Sequence, residues 1–238
     1  MGCSSGRADL SPVEKNFHSG ELQLKYHIHD AKTADLIHRK YSTGGVVNDN
    51  QWLDICKKLE LGFSQVSNPF ISNIRAFYEG FKKNSVFPLS DLLVLSILLS
   101  TGNSEQKSRL LFEAFSPDNS ELPKSEVGRM HDVLFKNTVK RALHLMKEDL
   151  KTKVDPEEQK NFVERMKQGR ENFREHFVLS LVGDGESVSL EGFVEWFRDP
   201  KNKEALTSTG FRKMLREHGK EEVKVHKAHE SQTLSRLL

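Results

Sequence analysis

Four times along this chain a stretch of helix-spaced apolar residues breaks off, a short polar interruption follows, and the helical spacing resumes. Each interruption carries one apolar residue at the same place in the frame, Val47, Phe87, Leu122 and Val188, and four residues later the frame reaches Gln51, Asp91, Glu126 and Gly192. The incoming stretches end on Ile37 and Tyr41, Phe77 and Phe81, Phe112 and Phe115, and Phe173 and Phe177; the outgoing ones open through Trp52, Leu92, Val127 and Phe193. A single unit of this kind cannot bury its apolar face alone, so repetition points to units that fold against one another. The four apolar positions lie 40, 35 and 66 residues apart, which places an elongated helical insertion, about residues 137–170, before the last unit. The spacing therefore predicts an all-α fold of two lobes, each a pair of helix-loop-helix units.

The first interruption, Lys40 to Gln51, resembles an EF-hand loop: Gly45 stands at the sixth position, where the chain turns sharply, and Val47 at the eighth, where two loops pair. Phe87, Leu122 and Val188 repeat that pairing position. The segment from Ile97 to Phe115, with a small-residue break before Glu105-Gln-Lys107 and a Phe-ended helix, is similar to the approach to the third hand of recoverin and calcineurin B type sensors. It also resembles the EF-hand-like amino-terminal region of acylated TLDc-domain proteins. This resemblance implies paired EF-hand-like units over roughly residues 30–200 and directs attention to calcium.

Calcium needs oxygen ligands at loop positions 1, 3, 5 and 9 and a bidentate carboxylate at 12. The first loop puts Lys40 at position 1 and Gln51 at 12. The second and third keep Asp91 and Glu126 at 12, but their first halves are cut short around Lys82, Lys83 and Asn84, and around Ser116, Pro117 and Asp118. The fourth has Leu181 at 1 and Gly192 at 12, with a shifted register through Asp184, Glu186 and Glu191 left open. No cofactor is required on this reading, and any weak calcium site is expected at the third loop through Asp118, Ser120 and Glu126. Elsewhere the loop acids read as solvated. The scaffold then serves to bind a partner, an amphipathic helix, in a groove expected to be lined by Phe63, Phe70, Phe77 and Phe87.

The opening Met1-Gly2-Cys3-Ser4-Ser5-Gly6 resembles a myristoylation sequence, with Gly2 the acyl acceptor and Cys3 a palmitoylation site. One acyl chain holds a protein only marginally and two anchor it, so Gly2 and Cys3 together imply peripheral attachment at the cytoplasmic face of a membrane. The longest apolar run, Leu92 to Leu99, is far short of the roughly 20 residues that span a bilayer. Lys and Arg (36) balance Asp and Glu (34), which gives no electrostatic case for a nucleic-acid partner, and Cys3 and Cys56 are too few for a disulfide framework.

Other motifs are thin. His27-x-His29 and His226-x-x-His229 lack a partner set for a metal and read as solvated; Gly183-Asp-Gly185 lacks the third glycine of a dinucleotide loop. The basic run from Lys136 to Lys153 reads as an exposed face of the inserted helix. The resulting division is an acylated flexible tether at 1–20, two EF-hand-like units at 21–102, a third at 103–136, the insertion at 137–170, the fourth unit and a following helix at 171–215, and a flexible tail at 216–238. The function expected is that of a non-enzymatic adaptor or regulatory protein on a membrane, with a calcium-dependent sensor as the alternative.

Overall fold

The computed structural model describes residues 10–64, 71–116, 118, 121–146 and 154–219. These residues are mostly helical, as the spacing predicts, and the only sheets among them are two short two-stranded ladders. In chain order come α1 (Pro12–Leu22), α2 (Ala31–Tyr41), β1 (Val46–Val47), α3 (Asp49–Lys58), α4 (Ile71–Glu79), β2 (Phe87–Pro88) and α5 (Leu89–Leu99). Then follow α6 (Ser104–Glu113), β3 (Glu121–Pro123), α7 (Lys124–Phe135), α8 (Pro156–Val182), β4 (Ser187–Ser189), α9 (Leu190–Trp196) and a last helix, α10, over 208–219. β1 pairs antiparallel with β2, Val47 opposite Phe87, and β3 with β4, Leu122 opposite Val188.

Most helix starts are written locally. Asp30, Asn48, Asn103, Asp155 and Ser189 each accept a backbone N–H of the first turn, and Asn48 with Gln51 forms a reciprocal capping box. The apolar faces these helices present gather into two cores. One surrounds Trp52 with Tyr26, Phe77, Tyr78, Phe81 and Phe87; the other is built on Phe112, Phe173, Phe177, Phe193 and Phe211. Helix α5 belongs to both. It is apolar on every side, giving Leu92 and Leu95 to the first core and Val94, Ile97 and Leu98 to the second, as a helix without a polar face must be buried all round.

Three expected boundaries need correction. Residues 12–20, assigned to the tether, are the body of α1: Ser11 caps it, Pro12 suits its first turn, and Val13, Phe17 and Gly20 share one buried face. Gly20 permits the close approach, since a Cβ there would lie 2.4 Å from the Leu145 carbonyl oxygen. The insertion at 137–170 is not a separate element. Its first part continues α7 through a wide π-type turn, Lys136–Arg141, and a tight turn, Ala142–Leu145, while α8 runs unbroken across position 170 into the fourth unit. Of the tail expected at 216–238, residues 216–219 complete α10 and residues 220–238 lie outside the described residues.

The ends of the chain meet through one arginine. Arg212 of α10 is fully buried and donates from Nε and Nη2 to Glu14 Oε1 (2.8 and 2.6 Å) and from Nη1 to Glu21 Oε1 (2.6 Å) and the Thr138 carbonyl (3.0 Å). Its guanidinium lies 4.6 Å from the Phe17 ring centroid. Burial alone would lower the Arg212 pKa, but Glu21 and Glu14 more than offset it and raise it above its ordinary value. Arg212→Met leaves two buried carboxylates without their cation and is expected to cost about 3–5 kcal/mol in urea unfolding. Adding Glu14→Gln and Glu21→Gln should recover much of that loss.

Two histidines set the acid limit of the fold. His131 on α7 is buried among Phe173, Phe177 and Phe211, with neither ring nitrogen hydrogen-bonded, and burial lowers its pKa to about 3. His38 on α2 hydrogen-bonds the Ala34 carbonyl through Nδ1 (2.8 Å) and the Tyr26 hydroxyl through Nε2 (3.0 Å), and burial lowers its pKa to about 4. The unfolded chain takes up protons first, near the ordinary imidazole value of about 6.5. Stability is therefore complete above that value and falls by about 1.4 kcal/mol per pH unit for each histidine as the pH drops toward the folded values. Urea midpoints measured between neutral and mildly acid pH should fall accordingly, and His131→Leu should make the fall shallower.

Candidate functional site

The loops where the resemblance puts calcium ligands are closed by the protein's own groups. In the first, Thr43 and Val46 exchange both backbone hydrogen bonds (3.0 and 3.2 Å) across Gly44 and Gly45, whose φ angles are +60° and +76°. Two central residues in the left-handed region make the tight turn that fits strand twist. The second loop copies it: Lys83 and Val86 exchange bonds of 2.8 and 3.1 Å across Asn84 and Ser85, at φ +50° and +64°. Gly45 thus turns the chain, Val47 and Phe87 lie opposite one another in the ladder, and the first halves of both loops are spent on two-residue turns.

The residues at position 12 are engaged elsewhere. Gln51 Oε1 accepts from the Asn48 N–H (2.8 Å) while its Nε2 donates to Thr43 Oγ1 (3.0 Å), so a neutral amide ties the loop across itself. Asp91, expected to be solvated, is buried at the start of α5, where Arg141 Nη2 donates to its Oδ2 at 2.8 Å. Asn137 Nδ2 donates to the Asp91 carbonyl (2.9 Å) and its amide oxygen accepts from Arg141 Nη1; Arg141 Nε donates to the Gly80 carbonyl (3.0 Å). The guanidinium also stacks 3.8 Å from the Phe81 ring centroid. Burial lowers the Arg141 pKa and Asp91 works against that shift. Of the basic run expected to form an exposed face, Arg141 is buried along with Leu145, Lys140 and His144 are exposed, and residues 147–153 lie outside the described residues. Lys82 adds a second tie, bonding Asp49 of α3 and Glu79 of α4 at 2.9 Å each.

The third and fourth loops are joined to one another. Ser116 Oγ bonds Asp118 Oδ1 (3.0 Å) and the Glu121 carbonyl (3.1 Å), and Glu126 pairs with Arg129 at 2.6 Å. Ser187 donates to the Glu121 carboxylate, and the Lys124 N–H donates to the Glu186 carbonyl (2.8 Å). Leu181 is buried, whereas Asp184, Glu186 and Glu191 are exposed. Of the proposed weak site, Asp118 and Glu126 are thus held by neighbours and Ser120 lies outside the described residues. Among the described residues no group of three His, Cys, Asp or Glu side chains is placed to hold a metal ion.

The expected aromatic groove is not open. Phe77 and Phe87 are buried in the first core, where the Trp52 ring centroid lies 4.5 Å from Tyr78 and 5.3 Å from Phe87 and Leu145 packs against the cluster. Phe63 is half-buried, edge-on to Trp52 (6.0 Å) and Tyr78 (5.8 Å). Phe70, Gly2 and Cys3 lie outside the described residues. His29, read as solvated, bonds the Leu59 carbonyl through Nε2 (2.6 Å).

Sequence reasoning missed Arg141, Asn137 and Arg212. No local signal marks them, since Arg141 finds its acid 50 residues away and Arg212 finds Glu14 at 198. Comparison of the chain with protein-family models, with curated proteins and with solved structures gives no match. Because Asp91 would be left buried and unpaired, Arg141→Leu is expected to cost about 3–5 kcal/mol in chemical unfolding, with no recovery on adding calcium.

Proposed function

We propose that this protein is a non-enzymatic EF-hand-like adaptor, held at the cytoplasmic face of a membrane by acyl chains on Gly2 and Cys3, that binds a helical segment of a partner without a calcium switch. The pairing of helix-loop-helix units, first with second and third with fourth, supports the EF-hand reading. The observation that carries the loss of the switch is the pairing of Asp91 with Arg141. In a calcium loop the position-12 carboxylate reports the ion by pulling the outgoing helix toward it. In the second loop a guanidinium from the end of the α7 segment pairs with that carboxylate, and in the first loop Gln51 supplies an amide that has no charge to offer an ion.

The membrane half of the proposal rests on the first six residues, which suit double acylation. With the two lobes sharing α5, ion-driven opening of one lobe would have to disturb the core of the other. That coupling favours a scaffold of fixed shape.

Calorimetric titration of the full chain with calcium is expected to show no saturable heat in the micromolar range; a saturable micromolar isotherm would establish the sensor reading instead. Metabolic labelling with fatty-acid probes should mark the wild type, lose the myristoyl signal in Gly2→Ala and lose the palmitoyl signal in Cys3→Ser. A wild type that takes up neither probe removes the membrane anchor.

A further inference from the structure

Away from the loops, two histidines from different helices meet. His176 is exposed on α8 and His218 is half-buried near the end of α10, and their ring centroids lie 5.1 Å apart with the planes inclined at 37°. His218 also stacks on Phe173 of α8, at 5.1 Å and 24°. The two helices touch backbone to backbone beneath this pair, since a Cβ on Gly169 would lie 1.9 Å from the Leu215 carbonyl oxygen. Further back on α10, Arg212 is fixed by Glu14 and Glu21. The spacing of the two rings is therefore set by the packing of the helices that carry them.

Stacking on Phe173 accounts for His218 but gives no reason for a second imidazole on the neighbouring helix. Metal chemistry gives one. Two imidazoles bound to one tetrahedral zinc ion, each at about 2.0–2.1 Å, hold their ring centroids about 5 Å apart. The pair already has that spacing, so turning the rings suffices to aim one nitrogen of each at a common point. Glu175 and Glu217, next to the two histidines in sequence, are exposed and add negative charge, while Arg174 reaches toward Asp132 (3.9 Å). Among the described residues no third His, Cys, Asp or Glu joins the pair, so the protein supplies two ligands there and no more.

We propose that His176 and His218 form a solvent-accessible zinc site, with two imidazole ligands from the protein and water at the remaining positions. The ion fastens the end of α10 to α8. Imidazole nitrogen suits zinc, copper and nickel and offers little to calcium, which takes oxygen ligands, so the site differs from the loops in chemistry as well as in place. Structural zinc centres use four protein ligands and fold the chain around the ion, whereas two ligands leave the ion exchangeable. The site is accordingly a clamp that follows the zinc concentration around the protein. It stands independently of the adaptor reading.

The test is calorimetric titration of the chelator-treated full chain with zinc alone at neutral pH. Saturable binding of one ion per chain is expected. His176→Gln, an exposed change, and His218→Gln should each weaken it about tenfold or more, since losing even a group that only supports a ligand costs that much. The double variant His226→Gln, His229→Gln should bind as the wild type does. Saturating zinc should also raise the urea midpoint of the wild type and leave that of His176→Gln unmoved. Absence of saturable heat, or heat unchanged in His176→Gln, overturns the site, and His176→Gln decides the matter should His218→Gln fail to fold. Binding lost in the His226, His229 variant and kept in His176→Gln overturns it as well. One ion per two chains overturns the water-completed centre. A calcium isotherm bears on the adaptor reading alone.

Discussion

The carboxylate of Asp91 and the guanidinium of Arg141 leave water together, and most of the arrangement follows from where that happens. Asp91 stands at the start of α5, the helix shared by both cores, and Arg141 ends the segment that continues α7. A charge buried without its partner is strongly unfavourable, so the pair fixes the direction in which the chain leaves α7. That direction carries Leu145 into the first core and brings its carbonyl against Gly20 of α1. The same pair occupies the acid at the end of the second interruption, so one contact ties the helix shared by both cores to the segment that continues α7.

The second buried ion cluster does for the chain ends what the first does for the two cores. Arg212 reaches two glutamates of α1 and a backbone carbonyl of the turn after α7, so the first and last described helices and the 136–141 turn share one desolvated charge centre. Arg212 makes five donations there, to Glu14, Glu21 and the Thr138 carbonyl, although Glu14 Oε2 is left buried without a hydrogen-bond partner.

Much of the fold was legible locally. The caps at Asn48, Asn103, Asp155 and Ser189 sit where the helices start, the apolar stripes give the helical class, and the apolar pairing residues Val47, Phe87, Leu122 and Val188 occupy the two ladders. The reading of α1 as tether failed because Glu14 and Asn16 make its stripe look polar, and Glu14 is buried only by virtue of an arginine near the other end of the chain. The aromatic groove failed for a related reason. Phe77 and Phe87 have the spacing of a lined surface, but spacing cannot tell a surface from a core when Trp52 and Tyr78 arrive from other helices to cover it.

The sequence by itself determined the helical class, the helix starts, the tight turns at Gly44-Gly45 and Asn84-Ser85, and the shortage of charged oxygens in the first loop. Those depend on neighbours a few residues apart, through capping, backbone conformation and ligand chemistry. Only the tertiary structure decided that Asp91 is occupied, that α1 is part of the core, and that His176 and His218 meet between α8 and α10. Each of these turns on charges and apolar faces brought together from distant segments, where burial multiplies the strength of an ion pair and the cost of leaving one unmade.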